Sequence, residues 1–186
     1  MVPLNVPNVL TVVRILLVPV LVVALLEKTS GGDLLAAIVF AVASLTDALD
    51  GRLARSRNSV TTFGKLMDPL ADKLLIIAAL VALVSRNRLE AWVAMVIIAR
   101  EFAVTVLRVA AGTQQGVVIS ASGLGKVKTT MQVAMVMVLI AFDSRPLWIS
   151  LLVYATVAVT VLSGVDYFFG FRRLVRGDAR AATPER

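Results

Sequence analysis

Six apolar runs separated by short polar breaks constrain this chain more than any other feature. Runs of about 20 apolar residues can cross the hydrocarbon core of a bilayer as helices. Of the 186 residues, 59% are hydrophobic, against about 45–50% in soluble domains. We therefore predict an all-α integral membrane bundle of six transmembrane helices, forming a single domain over residues 1–186. The first run ends near Leu26, the second covers Leu34–Thr46 and continues through Arg55, and the third covers about Leu66–Val84. The fourth begins near Ala91, the fifth covers about Val117–Phe142, and the sixth ends near Phe171. Residues 111–116 are expected to form a loop, and the basic tail from Arg172 to Arg186 is expected to be frayed.

The residue types that are absent limit the chemistry. The chain has no cysteine and no histidine, so disulfide and thiol chemistry are excluded, and any general base is a carboxylate or a lysine. The net charge is +7. A basic cytoplasmic face explains this charge better than nucleic-acid binding.

The distribution of lysine and arginine predicts the orientation. With six spans, one side of the membrane carries Lys28, Arg86, Arg88 and Arg145. The other side carries Arg52, Arg55, Arg57, Lys65, Lys126, Lys128 and the arginines from Arg172 onward. Since cytoplasmic loops carry the excess of positive residues, both termini and the acidic stretch described next are predicted to be cytoplasmic, in the cell (inner) membrane.

A polar stretch between the second and third runs holds four aspartates: Asp47, Asp50, Asp68 and Asp72. Carboxylates at the edge of a membrane segment are costly, so they indicate a functional site. Spacings of three and four residues place each pair on one helix face. Two such faces could form a ring of oxygen donors, whose mutual repulsion a cation would relieve. Oxygen ligands without nitrogen or sulfur indicate Mg²⁺, Mn²⁺ or Ca²⁺ rather than Zn²⁺.

Small residues surround these aspartates. Gly51 and Ala54 follow Asp50 on the same helix, and Gly64 lies four residues before Asp68. They leave a bare helix surface that a ligand can approach closely. Arg55 could neutralise a phosphate. Metal ligands, a smooth surface and a cation together suit a diphosphate bridged by divalent metal.

A second group of charges lies in the fourth and fifth runs. Arg100 and Arg108 are eight residues apart and share a helix face, and Lys126 and Lys128 lie in the first part of the fifth run. Such a cluster beside metal carboxylates could bind a second, anionic substrate. The alternative is that these side chains extend to lipid phosphates. Asp166 and Tyr167 are expected to be structural.

The pattern D-x2-D-G-x2-A-R-x8-G-x3-D-x3-D, from Asp47 to Asp72, resembles the signature of the CDP-alcohol phosphotransferases without a gap. Further segments resemble the phosphatidylglycerophosphate synthases of that family and extend the likeness from Asn5 to Gln132. They are NVPNVLTVVRILLVP, TTFGKLMDPLADKLL, AREFAVTVLR and GKVKTTMQ.

The resemblance implies transfer of a phosphatidyl group from CDP-diacylglycerol to sn-glycerol 3-phosphate, with release of CMP, by a homodimer of six-helix subunits. It implies that two Mg²⁺ or Mn²⁺ ions are bound by Asp47, Asp50, Asp68 and Asp72, with Asp72 also a candidate general base. The nucleotide pocket it implies consists of Asn8, Thr11, Asp50, Gly51, Ala54, Arg55 and Gly64. The acceptor phosphate is assigned to Arg100, Arg108, Lys126 and Lys128.

Two alternatives remain open from the sequence. One is a member of the same family with another acceptor, such as a cardiolipin or phosphatidylinositol-phosphate synthase. The other is a divalent-cation transporter that uses the aspartates as a pathway site. A transporter would need carboxylates near the bilayer midplane and gives Gly51, Ala54 and Arg55 no role.

Overall fold

The described part of the protein is a bundle of six α-helices. The computed structural model describes the backbone of residues 6–27, 31–57, 62–115 and 123–181, and the side chains of residues 9–27, 31–46, 71, 73–110 and 123–172. The helices are α1 (Val6–Leu26), α2 (Gly32–Arg57), α3 (Thr62–Ser85), α4 (Ala91–Gln115), α5 (Gly123–Ala141) and α6 (Leu147–Ala181). No strand occurs within the described backbone, so the predicted all-α class is confirmed.

Three of the helices contain segments long and apolar enough to cross a membrane: Val9–Leu26, Gly123–Ala141 and Leu147–Arg172. The apolar parts of α2 and α3 are shorter, Gly32–Thr46 and Lys73–Ser85. The first of these segments ends, and the second begins, where the described side chains meet the acidic stretch. The apolar sequence of α4 is interrupted by three charged residues, Arg100, Glu101 and Arg108. The three helices without such a segment, α2, α3 and α4, therefore carry the acidic stretch and the charged residues Arg100 and Arg108.

Apolar side chains fill the centre of the bundle and also cover its outside. The core includes Phe40, Leu80, Ile97, Met135 and Ile149, each fully buried. Large apolar side chains that face outward include Leu16, Leu34, Met95, Val106, Leu147 and Leu162, each more than half exposed. Because soluble monomers rarely expose so much contiguous apolar surface, this exterior fits a protein surrounded by lipid.

Arg88 forms hydrogen bonds to several helices at one end of the bundle. Its Nη2 donates to Asp33 Oδ2 at 2.6 Å, its Nε to Asp143 Oδ1 at 2.9 Å, and its Nη1 to the carbonyl of Ile140 at 2.9 Å. Arg86 also donates to Asp33. These bonds join the start of α2, the turn after α3 and the end of α5.

A further ion pair lies at the same end. Arg145 Nη2 donates to the carbonyl of Arg88 at 2.6 Å, and its Nη1 pairs with Glu90. The hydrogen bond from Arg145 lowers the pKa of the Glu90 carboxyl. The pair lies outside the cavity described below, whose lining residues are nearer the other end of the helices.

Two helices are longer than the sequence indicated. Helix α4 continues to Gln115 through the expected loop, and α6 continues to Ala181 through most of the expected frayed tail. With 35 residues, α6 is about 50 Å long at 1.5 Å per residue. That length exceeds the ~30 Å hydrocarbon core. Helix α5 ends one residue before the expected Phe142, and residues 116–122, where it was expected to begin, lie outside the described part.

Candidate active site

The four aspartates lie on two neighbouring helices. Asp47 and Asp50 belong to the last turns of α2, and Asp68 and Asp72 to the first turns of α3. The two helices contact each other. The helical spacing on which the prediction depended is therefore present in the backbone. The side chains of Asp47, Asp50, Gly51, Ala54, Arg55, Gly64, Asp68 and Asp72 lie outside the described part of the structure.

Helix α1 contributes buried polar groups to the same end of the bundle. It contacts both α2 and α3, and its first half is at the end opposite the Arg88 cluster. Thr11 and Arg14 are each 1% exposed, which is unusual for an arginine in so apolar a helix. Asn8 lies on the same helix, but its side chain is outside the described part.

The predicted cation cluster forms the wall of one cavity of about 440 Å³. The cavity is lined by all four predicted cations, Arg100, Arg108, Lys126 and Lys128. Residues up to 28 positions apart in the sequence, on α4 and α5, therefore lie close together as expected. The other lining residues are Lys73, Glu101, Val104, Thr105, Gly125, Thr129, Thr130, Ser163 and Tyr167. Helices α3 to α6 therefore all contribute to the cavity.

Arg100 is held firmly against α6. Its Nη2 donates to Ser163 Oγ at 2.6 Å. A Cβ added to Gly164 would lie 3.2 Å from Arg100 Cγ, so the glycine allows this close approach. The Arg100 Nε is buried without a hydrogen-bond partner among the described residues.

Glu101 connects three of the helices. Its carboxylate accepts from Lys128 on α5 and lies 3.4 Å from Arg100 Nη1. Its backbone carbonyl accepts a 2.6 Å hydrogen bond from the Thr105 hydroxyl, which in turn accepts from Lys73 on α3. A continuous polar chain therefore runs along one wall of the cavity.

Tyr167 supports Arg108 from α6. The Arg108 Nε donates to the phenol oxygen at 3.2 Å, and the guanidinium carbon lies 5.6 Å from the ring centroid. Tyr167 is 5% exposed and lines the cavity. The sequence suggested only a structural role for it, because nothing in the sequence relates it to an arginine 59 positions earlier. Asp166, next to it, is exposed and does not line the cavity.

Lys73 joins the two predicted groups of residues. It follows Asp72 directly in α3 and lines the cavity, so the acidic stretch and the cation cluster are adjacent. The described lining residues carry five cations and one carboxylate. A concave surface with this excess of positive charge attracts a small dianion such as a phosphate ester. Among the described side chains no group of three or more potential metal ligands occurs.

Comparison with known proteins gives a consistent result. The family model for CDP-alcohol phosphatidyltransferases matches residues 4–162. A CDP-diacylglycerol–glycerol-3-phosphate 3-phosphatidyltransferase of Bacillus subtilis (strain 168) is 43% identical over 183 residues, covering 88% of this chain and 93% of the relative. A probable phosphatidylglycerophosphate synthase of Mycobacterium tuberculosis (strain H37Rv) is 39% identical, covering 96% and 87%. A Rickettsia felis protein with the same name as the Bacillus relative is 35% identical, covering 88% and 93%.

Proposed function

The chain belongs to the CDP-alcohol phosphatidyltransferase family, and we propose that it transfers the phosphatidyl group of CDP-diacylglycerol to sn-glycerol 3-phosphate. The products are phosphatidylglycerophosphate and CMP, which places the enzyme in phospholipid biosynthesis. The observation that carries the acceptor assignment is the convergence of Arg100, Arg108, Lys126 and Lys128 on one cavity. No observation favours the cation-transporter alternative.

The acidic stretch is proposed to bind two divalent ions, Mg²⁺ or Mn²⁺, through Asp47, Asp50, Asp68 and Asp72. The donor set fits such ions because it contains only carboxylate oxygens, on two helices that contact each other. When bound, these ions neutralise charge on the diphosphate and on the leaving CMP. The cytidine nucleotide is assigned to a surface formed by Asn8, Thr11, Asp50, Gly51, Ala54, Arg55 and Gly64.

The cation-lined cavity is proposed to bind the phosphate of the acceptor. Guanidinium groups suit this role because they donate in pairs to phosphate oxygens. Tyr167 and Ser163 fix the two arginines, so less side-chain freedom is lost on binding. The acceptor would then lie beside Asp72, the residue that precedes Lys73.

Asp72 is proposed as the general base. It takes the proton of the acceptor hydroxyl, whose oxygen forms a bond to the lipid-linked phosphorus. The bond from that phosphorus to the CMP oxygen breaks, and CMP leaves. The chain has no histidine, and among the four aspartates of the acidic stretch Asp72 is the one that directly precedes a cavity-lining residue, Lys73.

All six helices are proposed to span the cell (inner) membrane, with both termini and the active site on the cytoplasmic side. Arg100, Glu101 and Arg108 of α4 line the cavity rather than facing lipid, so α4 can span despite its lower hydropathy, and the same is proposed for the charges of α2 and α3. The subunits are proposed to form a homodimer, as the resemblance implies. Labelling of single engineered cysteines in intact cells, in a chain that has none, tests the orientation.

The acceptor is tested directly by CMP release from purified protein supplied with CDP-diacylglycerol and one acceptor at a time. We expect release with sn-glycerol 3-phosphate and little with phosphatidylglycerol or inositol phosphate. A preference for either of those acceptors would keep the family but reject this acceptor. Absence of CMP release with all three would reject the proposed reaction.

Replacing Arg108 or Lys126 singly with glutamine is expected to weaken acceptor binding. Each lost charge-assisted contact costs roughly 1.5–3 kcal/mol, or about ten- to hundredfold in KM for glycerol 3-phosphate. The affinity for CDP-diacylglycerol should change little, because these residues line the other part of the site. Steady-state titration of each substrate separately provides the measurement.

The matched control is Arg172→Gln, which removes one exposed arginine that does not line the cavity. It should leave both KM values unchanged. If Arg108→Gln and Lys126→Gln also bind glycerol 3-phosphate normally, the cations serve lipid headgroups and the cavity is not the acceptor site.

Replacing Gly51 with leucine is expected to abolish CDP-diacylglycerol binding while leaving the protein folded. The added side chain would fill the space assigned to the nucleotide on the surface of α2. Gly170→Leu is the control, because a Cβ at Gly170 meets nothing within 4 Å. Equilibrium binding of CDP by both variants in detergent gives the comparison. Normal affinity in Gly51→Leu would contradict the proposed nucleotide surface.

A further inference from the structure

Among the described residues that line the cavity, Glu101 is the sole carboxylate. Its side chain is 13% exposed, and that of its partner Lys128 is 7% exposed. A negative charge in a partly buried position opposes the binding of any anion nearby. A site built only for phosphate affinity would gain from a neutral residue at this position, so the carboxylate calls for another explanation.

Lys128 is already engaged before a substrate arrives. Its ammonium group donates to the Glu101 carboxylate, and Arg100 Nη1 lies 3.4 Å from the same oxygen. An incoming phosphate therefore competes with Glu101 for these cations. The affinity for a bare phosphate is reduced by this competition, whereas contacts elsewhere on the acceptor are unaffected.

The cavity offers such contacts to an alcohol. The hydroxyls of Thr129 and Thr130 donate to the backbone carbonyls of Gly125 and Lys126, at 3.1 and 3.2 Å. Their oxygens keep lone pairs that can accept from the hydroxyls of an acceptor. Thr105, whose hydroxyl is held between Lys73 and Glu101, lines the same space.

We propose that Glu101 is a counter-ion that lowers the affinity of the acceptor cavity for phosphate groups, so that the acceptor is held through its hydroxyl contacts as well as through its charge. Because Glu101 holds Lys128 while the cavity is empty, a ligand that offers only a phosphate group binds weakly. A phosphorylated alcohol gains further affinity from its hydroxyl contacts. Glu101 acts through Lys128 and is therefore a positioning residue. The inference rests on the proposed function, because it assumes that the cavity takes the acceptor phosphate.

The test is Glu101→Gln in the full-length protein, with inorganic phosphate as a competitive inhibitor of CMP release against glycerol 3-phosphate. Because a nearby unit negative charge is removed and Lys128 is released, the inhibition constant of phosphate should fall by about tenfold. KM for glycerol 3-phosphate and kcat should fall together, since the acceptor is held more tightly but less well oriented. A purely structural role would instead raise KM or reduce the amount of folded protein.

Glu101→Asp keeps the charge and serves as the second variant. Its phosphate inhibition constant should stay within about twofold of the wild-type value, since the Coulomb contribution is retained. Glu90→Gln is the matched control, because Glu90 also pairs with an arginine but lies at the other end of the bundle. It should behave as wild type.

The outcomes separate the inference from the proposed function. An unchanged or higher phosphate inhibition constant in Glu101→Gln, or a tenfold lower one in Glu101→Asp, overturns the counter-ion role. If the wild-type protein turns over glycerol 3-phosphate but phosphate does not compete with it even at high concentration, and Arg108→Gln keeps a normal KM, the proposed acceptor site is itself wrong and the inference falls with it.

Discussion

Replacing Asp72 with asparagine is expected to reduce turnover by roughly 10²–10⁴-fold, the usual contribution of a positioned general base. Asparagine has nearly the same shape but accepts no proton at neutral pH. Because three of the four aspartates remain, CDP-diacylglycerol should still bind. The loss should therefore appear in kcat more than in the KM for CDP-diacylglycerol. Measurements of CMP release and of equilibrium CDP-diacylglycerol binding on the same preparation distinguish these effects.

Asp166→Asn provides the control for this substitution. Asp166 is exposed on α6 and does not line the cavity, so its variant should keep wild-type kcat. Near-normal turnover in Asp72→Asn would assign the proton to another group. Lys73 would then be the first candidate, since it follows Asp72 and lines the cavity.

The helices were predicted well from the sequence where apolar length decided them. The end of α1 at Leu26 and the start of α4 at Ala91 agree with the expected bounds, and α2 continues past Arg55 as required. Helix α4 passes through Gly112, because a single glycine costs only about 1 kcal/mol once the helix has formed. The tail of α6 is rich in arginine and alanine, which are good helix formers. Polarity was therefore a poor guide to where these helices end.

The cation cluster was predicted because helical spacing relates its members locally. Arg100 and Arg108 share a face of α4, and Lys126 and Lys128 lie together at the start of α5. The residues that fix them were missed, because Ser163 and Tyr167 come from α6 and depend on how that helix is rotated. The sequence also predicts that Glu101 pairs with a neighbouring cation, since a carboxylate within an apolar helix is costly unless it is paired, and Lys128 and Arg100 confirm this.

Lys73 was also available from the sequence as the neighbour of Asp72, but its position in the cavity depends on how α3 packs beside α4. Its bond to Thr105 crosses from one helix to the other. A spacing rule within one helix contains no information on such a contact. The sequence therefore indicated which charges matter, whereas the packing of α3 to α6 determined which of them share a cavity.

Removing divalent metal is expected to reduce turnover to background, and Mg²⁺ or Mn²⁺ should restore it. Four carboxylates on neighbouring helices repel one another at neutral pH, and a diphosphate adds further negative charge. Without a counter-charge, both the site and its substrate are disfavoured. Zn²⁺ should restore activity poorly, because the proposed ligands offer neither nitrogen nor sulfur.

Thermal unfolding gives a measurement of the same site that does not depend on turnover. A ligand present at 100 times its Kd stabilises the folded state by about 2.7 kcal/mol, so Mg²⁺ should raise the Tm of the wild-type protein in chelator-treated buffer. Asp50→Asn should shift this response to higher Mg²⁺ concentration, because one carboxylate ligand is lost. Asp166→Asn should respond as the wild type does. Full turnover in excess chelator, together with a Tm that ignores Mg²⁺, would show that the aspartates serve another purpose and that the phosphoryl charge is stabilised by the cations of the cavity alone.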